Sequence, residues 1–309
     1  MSTVASRTER VLVTGAGGFT GRHLCALLRA QGHEVFGLTE RGTDAPGAAA
    51  VDLLDAEGMA AAVRAAAPDR VVHLAAIAFP GHRDAAAVYR VNVIGTLTLL
   101  EALAREGHGR GGVLLPSTGT VYGSVESDAL DERAPVAPAT HYAVSKLAME
   151  HMARLYAATL PVVVVRPFNY TGPGQREPYL VPKIVRHFAE RADVVELGNV
   201  DVVRDFLDVR TVVDAYARLL AAPAAAGQTF NLCSGRGVAI RDIVATLEAV
   251  TGHRLAIRVN PQFVRPGEPR RIVGSPARLV GTIGDLLPIP LATTLVDMLE
   301  EAESGRRAT

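Results

Sequence analysis

Tyr142 and Lys146 stand four residues apart in the run "THYAVSKLAMEHMARLY". Residues at that spacing share one face of a helix, so a phenol and an ammonium would project into the same pocket. A free phenol, with a pKa of about 10, is a poor proton shuttle at neutral pH, and a nearby ammonium lowers that pKa by stabilising the phenolate. The choice of lysine is informative, because the chain holds 30 arginines and only two lysines, Lys146 and Lys183. Where any positive charge would serve, this sequence uses arginine; a lysine points to a compact ammonium, able also to bind a hydroxyl, in a place that the planar guanidinium fork does not suit. With seven tyrosines in 309 residues such a pair also arises by chance, so its weight depends on what accompanies it.

A second constellation, "VLVTGAGGFTGRHL", sets Gly15, Gly18 and Gly21 after an apolar run and at the start of an amphipathic one. A helix N-terminus offers N–H groups and partial positive charge, and glycines let a pyrophosphate approach the backbone. The spacing is GxxGxxG, one residue off the GxGxxG fingerprint, and glycines also serve strand-to-helix turns that bind nothing. A dinucleotide loop needs a reader of the adenosine ribose at the end of the second strand, an acid for a free 2′-hydroxyl or an arginine for a 2′-phosphate. There "FGLTERG" gives Thr39, Glu40 and Arg41. The absent acid and Arg41 favour NADP(H), with NAD(H) left open and a solvated Glu40–Arg41 turn as the plain alternative. Asp52 in "VDLLD" is placed to hydrogen-bond the adenine amino group.

These residues need a scaffold, and the chain supplies an α/β one. "RVLVTG", "HEVFGL", "RVVHLAA", "GVLLPS" and "PVVVVRP" alternate with the longer amphipathic runs "FTGRHLCALLRAQG", "DAEGMAAAVRAAA", "DAAAVYRVNVIGTLTLLEALARE" and the "YAVSK" helix. That order predicts a Rossmann-type, doubly wound parallel sheet. After "RPFNYTGPGQREP" the rhythm changes: "LVPKIVRHFAER" has no obvious buried strand behind it, "TFNLCSG" reads as a strand of the first sheet, and "IRDIVATLEAVTG" as a helix of a second lobe. The expected division is a dinucleotide-binding domain over 1–168, with 206–235 returning to it, and a smaller C-terminal substrate lobe over 169–205 and 236–309. The tail "ESGRRAT" is expected to fray.

The 32 basic and 32 acidic residues cancel, which argues against nucleic acid or an anionic membrane as partner. "MSTVASRTER" lacks the apolar core of a signal peptide and "TVVDAYARLLAAPAAAG" is broken by Asp214, Arg218 and Pro223, so no membrane span and a cytoplasmic location are expected. Cys25 and Cys233 lack metal-ligand spacing and read as buried thiols in a reducing compartment, with no metal.

Through "TGAGGFTG", "HLAA", "VNVIGT", "PSTGTVYG", "YAVSK" and "RPFNYTGPGQ" the chain resembles, over nearly its whole length, the extended short-chain dehydrogenase/reductases, also called NAD-dependent epimerase/dehydratases, which act on nucleotide sugars. The resemblance implies that Thr118 hydrogen-bonds the substrate oxygen, that Tyr142 exchanges its proton, and that Lys146 tunes Tyr142 and holds the nicotinamide ribose. A purely structural Thr118 would instead cap backbone at a strand end. It further implies a dinucleotide lined by Phe19 and Thr20 of the glycine loop and by Leu53 beside Asp52. Leu74, Ala75 and Ala76 of "HLAA", Asn92 of "VNVIGT" and Pro167 complete that lining.

Members that dehydrate their sugars carry an acid where this chain has Gly119 or Thr120, which disfavours dehydration. The second half, with "ELGNVDVVRDFLDVRTVVDAY", "FNLCSG" and "VRPGEPRRIVGSPARL", is similar to members that reduce the C4 ketone of GDP-linked 4-keto-6-deoxyhexoses more than to UDP-galactose epimerases, although Tyr170 stands where those reductases have a histidine. On that likeness Arg204 and Arg265 would contact the nucleotide, Glu268 its ribose hydroxyls, and Asn169 the diphosphate or sugar. Lys183 reads equally as a phosphate contact or a solvated surface residue, and ion pairs with Asp205, Asp208 or Glu268 are the alternative for the two arginines. A 4-epimerase that retains NAD tightly stays open, as does a non-catalytic dinucleotide-sensing protein, against which the intact Tyr–Lys pair argues. A homodimer through a four-helix bundle, built from the "VNVIGT" and "YAVSK" helices, is implied by the resemblance.

Overall fold

The alternation of β-branched and amphipathic runs becomes alternating strands and helices in the computed structural model of the chain, which describes residues 8–40, 47–79, 81–125, 127–264 and 269–307. Strand β1 (Arg10–Thr14) leads into α1 (Phe19–Ala30), β2 (Glu34–Thr39), β3 (Ala48–Ala50), α2 (Ala56–Ala66) and β4 (Arg70–His73). A long helical stretch follows as α3 (Ala85–Tyr89), a π turn (Arg90–Ile94) and α4 (Gly95–Glu106), then β5 (Gly112–Pro116), α5 (His141–Arg154) and β6 (Val162–Pro167). The remainder comprises β7 (Asn169–Thr171), α6 (Leu180–Ala189), β8 (Val194–Leu197), β9 (Val203–Asp208), α7 (Val209–Ala221) and β10 (Thr229–Leu232). Last come β11 (Gly237–Ala239), α8 (Ile240–Thr251), β12 (Ala256–Val259), β13 (Arg271–Ile272), α9 (Ala277–Ile283) and α10 (Leu291–Arg307). Two compact units result: Met1–Val121, Pro138–Arg166 and Val213–Phe230 form the first, and Tyr122–Ala137, Pro167–Val212 and Asn231–Thr309 the second.

The first unit is organised by a seven-stranded sheet in the order β10-β6-β5-β4-β1-β2-β3, and every pairing from β5–β6 across to β2–β3 is parallel. Parallel strands covered on both faces read as near-continuous apolar runs, and Leu12, Val71, Val113, Leu115 and Val164 pack with Met59, Leu99, Leu103 and Met149 of the helices in one core cluster. Helix starts follow local chemistry: Asp55, Asp84 and Thr140 cap α2, α3 and α5 by accepting from Gly58, Ala87 and Ala143 N–H. The single helix expected over "DAAAVYRVNVIGTLTLLEALARE" differs in one respect. Around Asn92 it opens into the π turn, where Gly95 N–H reaches back five residues to Arg90 C=O. Such a turn inserts a residue without altering composition, so the apolar periodicity reads straight through it. By length and composition Ala85–Glu106 could cross a membrane, and half of its apolar window is buried within the fold.

In the second unit β9 is flanked by antiparallel β11 and parallel β13, and β7 pairs with it in parallel. A separate parallel pair, β8–β12, lies in the same unit. Its core joins Ile184 and Phe188 of α6, Ile243 and Leu247 of α8, and Leu295 and Met298 of α10. One expectation is corrected here. A strand does follow "LVPKIVRHFAER": in β8 Val195 and Leu197 are buried while Val194 is exposed, an alternation too short to stand out in the sequence. Helix α10 runs from Leu291 to Arg307, with Thr294, Leu295 and Met298 seated in the interior.

Arg166 lies inside the all-buried strand β6, and a cation there must be paired. Glu150 of α5 meets it two-pronged, with Nε to Oε1 at 2.9 Å and Nη2 to Oε2 at 2.6 Å, and Ser117 Oγ donates to Oε1 at 2.5 Å. The three side chains fasten α5 to the carboxyl ends of β5 and β6. Removing one member of a buried pair leaves the other charge uncompensated. Glu150→Gln is therefore expected to cost about 3–5 kcal/mol of stability in urea unfolding, well beyond the roughly 0–1 kcal/mol of an exposed ion pair.

Candidate active site

The strand order changes direction between β1 and β4, with β2 and β3 on one side and β5, β6 and β10 on the other. In open parallel sheets ligands bind outside the carboxyl ends of the strands at such a point. Here Thr14 ends β1, His73 ends β4, and Ser117 and Thr118 follow β5. The glycine loop leaves β1 at Gly15, whose φ of +67° suits glycine. A Cβ on Gly15 would lie 2.7 Å from Ala75 N, and one on Gly21 would overlap the Gly15 carbonyl oxygen, so both glycines serve close backbone packing. Gly17 and Gly18 are exposed, Gly18 caps α1 without any side-chain acceptor, and the first turn of α1 carries no carboxylate. An N-terminus free of negative charge in its first turn fits a dinucleotide pyrophosphate. Phe19 and Thr20, both half-buried, begin the helix, and the Thr39 methyl lies 3.4 Å from the Cβ position of Gly17, which brings the end of β2 beside the loop.

On α5 the Thr140 cap sets the first turn, Tyr142 is half-buried, and Lys146 one turn later is 5% exposed. The Lys146 ammonium donates to the Pro116 carbonyl at 2.8 Å. Burial pushes its pKa down to about 8, against the pull of the Glu150 carboxylate. Ser145 Oγ donates to the Tyr142 carbonyl at 2.7 Å and accepts from Asn92 Nδ2 at 3.1 Å. The rest of the Asn92 amide grips Ile77 by its N–H (2.9 Å) and C=O (3.1 Å). Thr118, two residues beyond Pro116, accepts from Thr120 N–H at 3.1 Å and shares a 2.9 Å contact with the Thr120 hydroxyl. It thus makes the backbone cap that a structural threonine makes, while standing at the same strand end as the lysine's carbonyl partner.

The other expected residues are placed as follows. Asp52 is exposed and accepts from Leu54 N–H at 2.9 Å, a tight local turn, and Leu53 packs toward the core cluster and against the Cβ position of Gly95. Leu74, Ala75 and Ala76 follow β4, all half-buried, and Pro167 closes β6 in a buried position. In the second unit Asn169 Nδ2 donates to the Asp205 carbonyl at 3.2 Å, and Arg204 Nη1 to the carbonyls of Val203 (2.9 Å) and Pro269 (3.0 Å). Asp205 accepts from Ser234 and Gly235, and Asp208 from Arg210 and Thr294. Lys183 is half-buried, and its Nζ donates to the Glu196 carbonyl at 2.7 Å and lies 4.5 Å from the centre of the Phe263 ring. Arg41, Arg265 and Glu268 fall outside the described residues. Cys25 and Cys233 are free and buried, and burial raises both thiol pKa values.

Sequence reading missed Ser145, Glu150 and Arg166. Glu150 stands at Lys146 plus four and so on the same helix face, and a lone arginine in "PVVVVRP" needs a buried partner; these two signals together would have found the pair.

Residues 11–233 match the NAD dependent epimerase/dehydratase family. A GDP-6-deoxy-D-talose 4-dehydrogenase of Aggregatibacter actinomycetemcomitans is 36% identical over 89% of this chain and 92% of its own. A GDP-6-deoxy-D-mannose reductase of Pseudomonas aeruginosa is 38% identical over 97% of this chain and 99% of its own. Among solved structures, that of RMD from Pseudomonas aeruginosa complexed with NADPH is similar with a TM-score of 0.85, 36% identity and coverage of 96% and 98%. UDP-glucose 4-epimerases are also similar, at 26 to 32% identity. By its matched length, its parallel sheet and its glycine loop, this chain belongs to the NAD dependent epimerase/dehydratase family.

Proposed function

We propose that the protein reduces the C4 ketone of a GDP-linked 4-keto-6-deoxyhexose with NADPH, giving the C4 alcohol, most simply GDP-4-keto-6-deoxy-D-mannose to GDP-D-rhamnose. The observation that carries this is similarity, along nearly the whole chain, to two enzymes whose named sugars, 6-deoxy-talose and 6-deoxy-mannose, differ only in configuration at C4. In this reading the first unit holds the dinucleotide and the second supplies the nucleotide-sugar contacts, with Asn169 and Arg204 among them. The lack of an acid at the end of β2 and the NADPH in the Pseudomonas RMD structure support NADP(H) over NAD(H). Homodimer formation through α3–α4 and α5 belongs to the same proposal and is supported by the exposed apolar side chains of Ile94 and Val144 on those helices. A cytoplasmic location is supported by the two free thiols.

A bound reduced nicotinamide would supply hydride to C4. The chain's own part is proton transfer and charge stabilisation. The Tyr142 hydroxyl gives its proton to the oxygen forming at C4, and Thr118 donates to the same oxygen. The Lys146 ammonium stabilises the phenolate left behind, and the Pro116 carbonyl fixes where that ammonium sits. Gly119 and Thr120 supply no acid or base for dehydration.

Offered a panel of GDP-, dTDP-, UDP- and CDP-linked 4-keto-6-deoxyhexoses, the enzyme should consume NADPH fastest with the GDP sugar, read from nicotinamide absorbance. An epimerase would consume none, and nucleotide binding without turnover of any keto-sugar would return the protein to the sensing class. Tyr142→Phe should lower kcat by about 10²–10⁴-fold; retention of most turnover would remove Tyr142 as donor. Because burial holds Lys146 below its free value, its ammonium is complete at lower pH and is lost as the pH rises through about 8. The kcat for reduction should therefore fall as the pH rises through about 8, and Lys146→Met should abolish that limb of the profile while lowering kcat by about 10²-fold.

A further inference from the structure

Five polar side chains of the first unit, Thr14, His73, Asn92, Thr96 and Ser145, are between 0 and 2% exposed, and none of them is a proton donor or hydride acceptor in the proposed reaction. Their hydrogen bonds form one directed series. Thr96 Oγ1 donates to the Asn92 carbonyl at 2.8 Å. A carbonyl can only accept, so the single hydroxyl proton of Thr96 is spent there. The 3.0 Å contact between Thr96 Oγ1 and His73 Nε2 must then be donated by the ring N–H. A neutral imidazole protonated on Nε2 has a bare Nδ1, which accepts from Thr14 Oγ1 at 2.7 Å. Thr14 Oγ1 in turn accepts from Ala75 N–H at 3.1 Å. A second ring proton would turn Thr14 Oγ1 from donor to acceptor at Nδ1, and the displaced hydroxyl proton would then need another acceptor inside the fold. Burial accordingly pushes His73 down to about 3, and the Lys146 ammonium acts in the same direction. Beyond Asn92 the series runs through its Nδ2 to Ser145 Oγ and from there to the Tyr142 carbonyl.

The two ends of this series are informative. One is Ala75 N, the atom that a Cβ on Gly15 would strike, at the turn of the glycine loop. The other is the backbone of Tyr142. We propose that His73 is a positioning residue, whose fixed Nε2–H tautomer, together with Thr14 and Thr96, ties the dinucleotide loop to the helix turn that carries the proton donor. The proposal rests on the reading of Tyr142 as that donor. Thr14 and His73 face each other in the register of β1 and β4, so the imidazole spans from the sheet to Thr96 at the start of α4, whose hydroxyl reaches back to the Asn92 carbonyl in the π turn, as a strut of set length. Small displacements of a reacting group cost rate out of proportion to their size. A loosened strut therefore shows in kcat before it shows in nucleotide binding.

The test uses the full-length protein labelled uniformly with ¹⁵N, so that histidine ring nitrogens and backbone amides are both read. His73 should give one protonated and one bare ring nitrogen, with the proton on Nε2, and should not titrate between about pH 5 and about pH 8. Thr14→Val should shift both the His73 Nε2 signal and the Tyr142 and Ser145 amide signals. This spectroscopic arm is read without substrate, so it decides the tie even where no keto-sugar is turned over, a result that would defeat the proposed reaction separately. In turnover, Thr96→Val should lower kcat by about tenfold with KM for NADPH within about twofold, and Thr96→Ser should restore most of it. A His73 that titrates normally or carries its proton on Nδ1, Tyr142 and Ser145 signals indifferent to Thr14→Val, or a Thr96→Val loss no greater than the loss of folded protein by circular dichroism would each overturn the proposal.

Discussion

A primary ammonium buried at the carboxyl end of a parallel strand is the constraint on which the candidate site depends. Lys146 gives up water for one backbone carbonyl, that of Pro116, and the cost appears as a lowered pKa. Such a group is stable only if its surroundings are rigid, because each movement away from the carbonyl leaves a charge unsatisfied. The rigidity comes from the next turn of α5, where Glu150 is clamped by Arg166 and Ser117. Helix, strand β5 and strand β6 are thereby fixed to one another around the lysine, and the tyrosine one turn earlier inherits that fixed position.

The parallel sheet explains why the other chemistry-bearing residues gather at the same end. Every βα connection of the first unit begins at a strand's carboxyl end, so Gly15, Ala75, Thr118 and the π turn with Asn92 are delivered by separate segments to one rim of the sheet. Two of those segments approach so closely that only glycine fits between them, as Gly15 shows against Ala75. The side chains at the rim then complete each other's hydrogen bonds instead of relying on solvent, which suits a site that must exclude water from a reacting carbonyl.

Much of this was legible in the order of residues. Strand-helix alternation gave the parallel sheet, the position of the glycines gave the loop, and the spacing of Tyr142 and Lys146 gave the shared helix face, because periodicity and turn chemistry are local properties. What the residues did not disclose depends on partners distant in the chain. The π turn adds a residue that no period reveals, and β8 is buried by α6, α8 and α10, not by its own four residues. Lys183 is the instructive case: its ammonium is taken by the Glu196 carbonyl and the Phe263 ring, neither of which sequence proximity suggests. His73 was read only as part of a motif, since the tautomer that gives it a role is defined by three hydroxyl and carbonyl groups from other segments.

Counting formal charge among the buried side chains of the first unit's described residues gives an uneven result. Arg166 and Glu150 cancel, His73 is neutral, and Lys146 has no anion of its own. The interior is therefore left with one surplus cation, which the low polarity around it screens weakly. An electrostatic imbalance of that kind acts on whatever enters beside it: groups that can bear negative charge, even transiently, are drawn in, and a second cation is turned away.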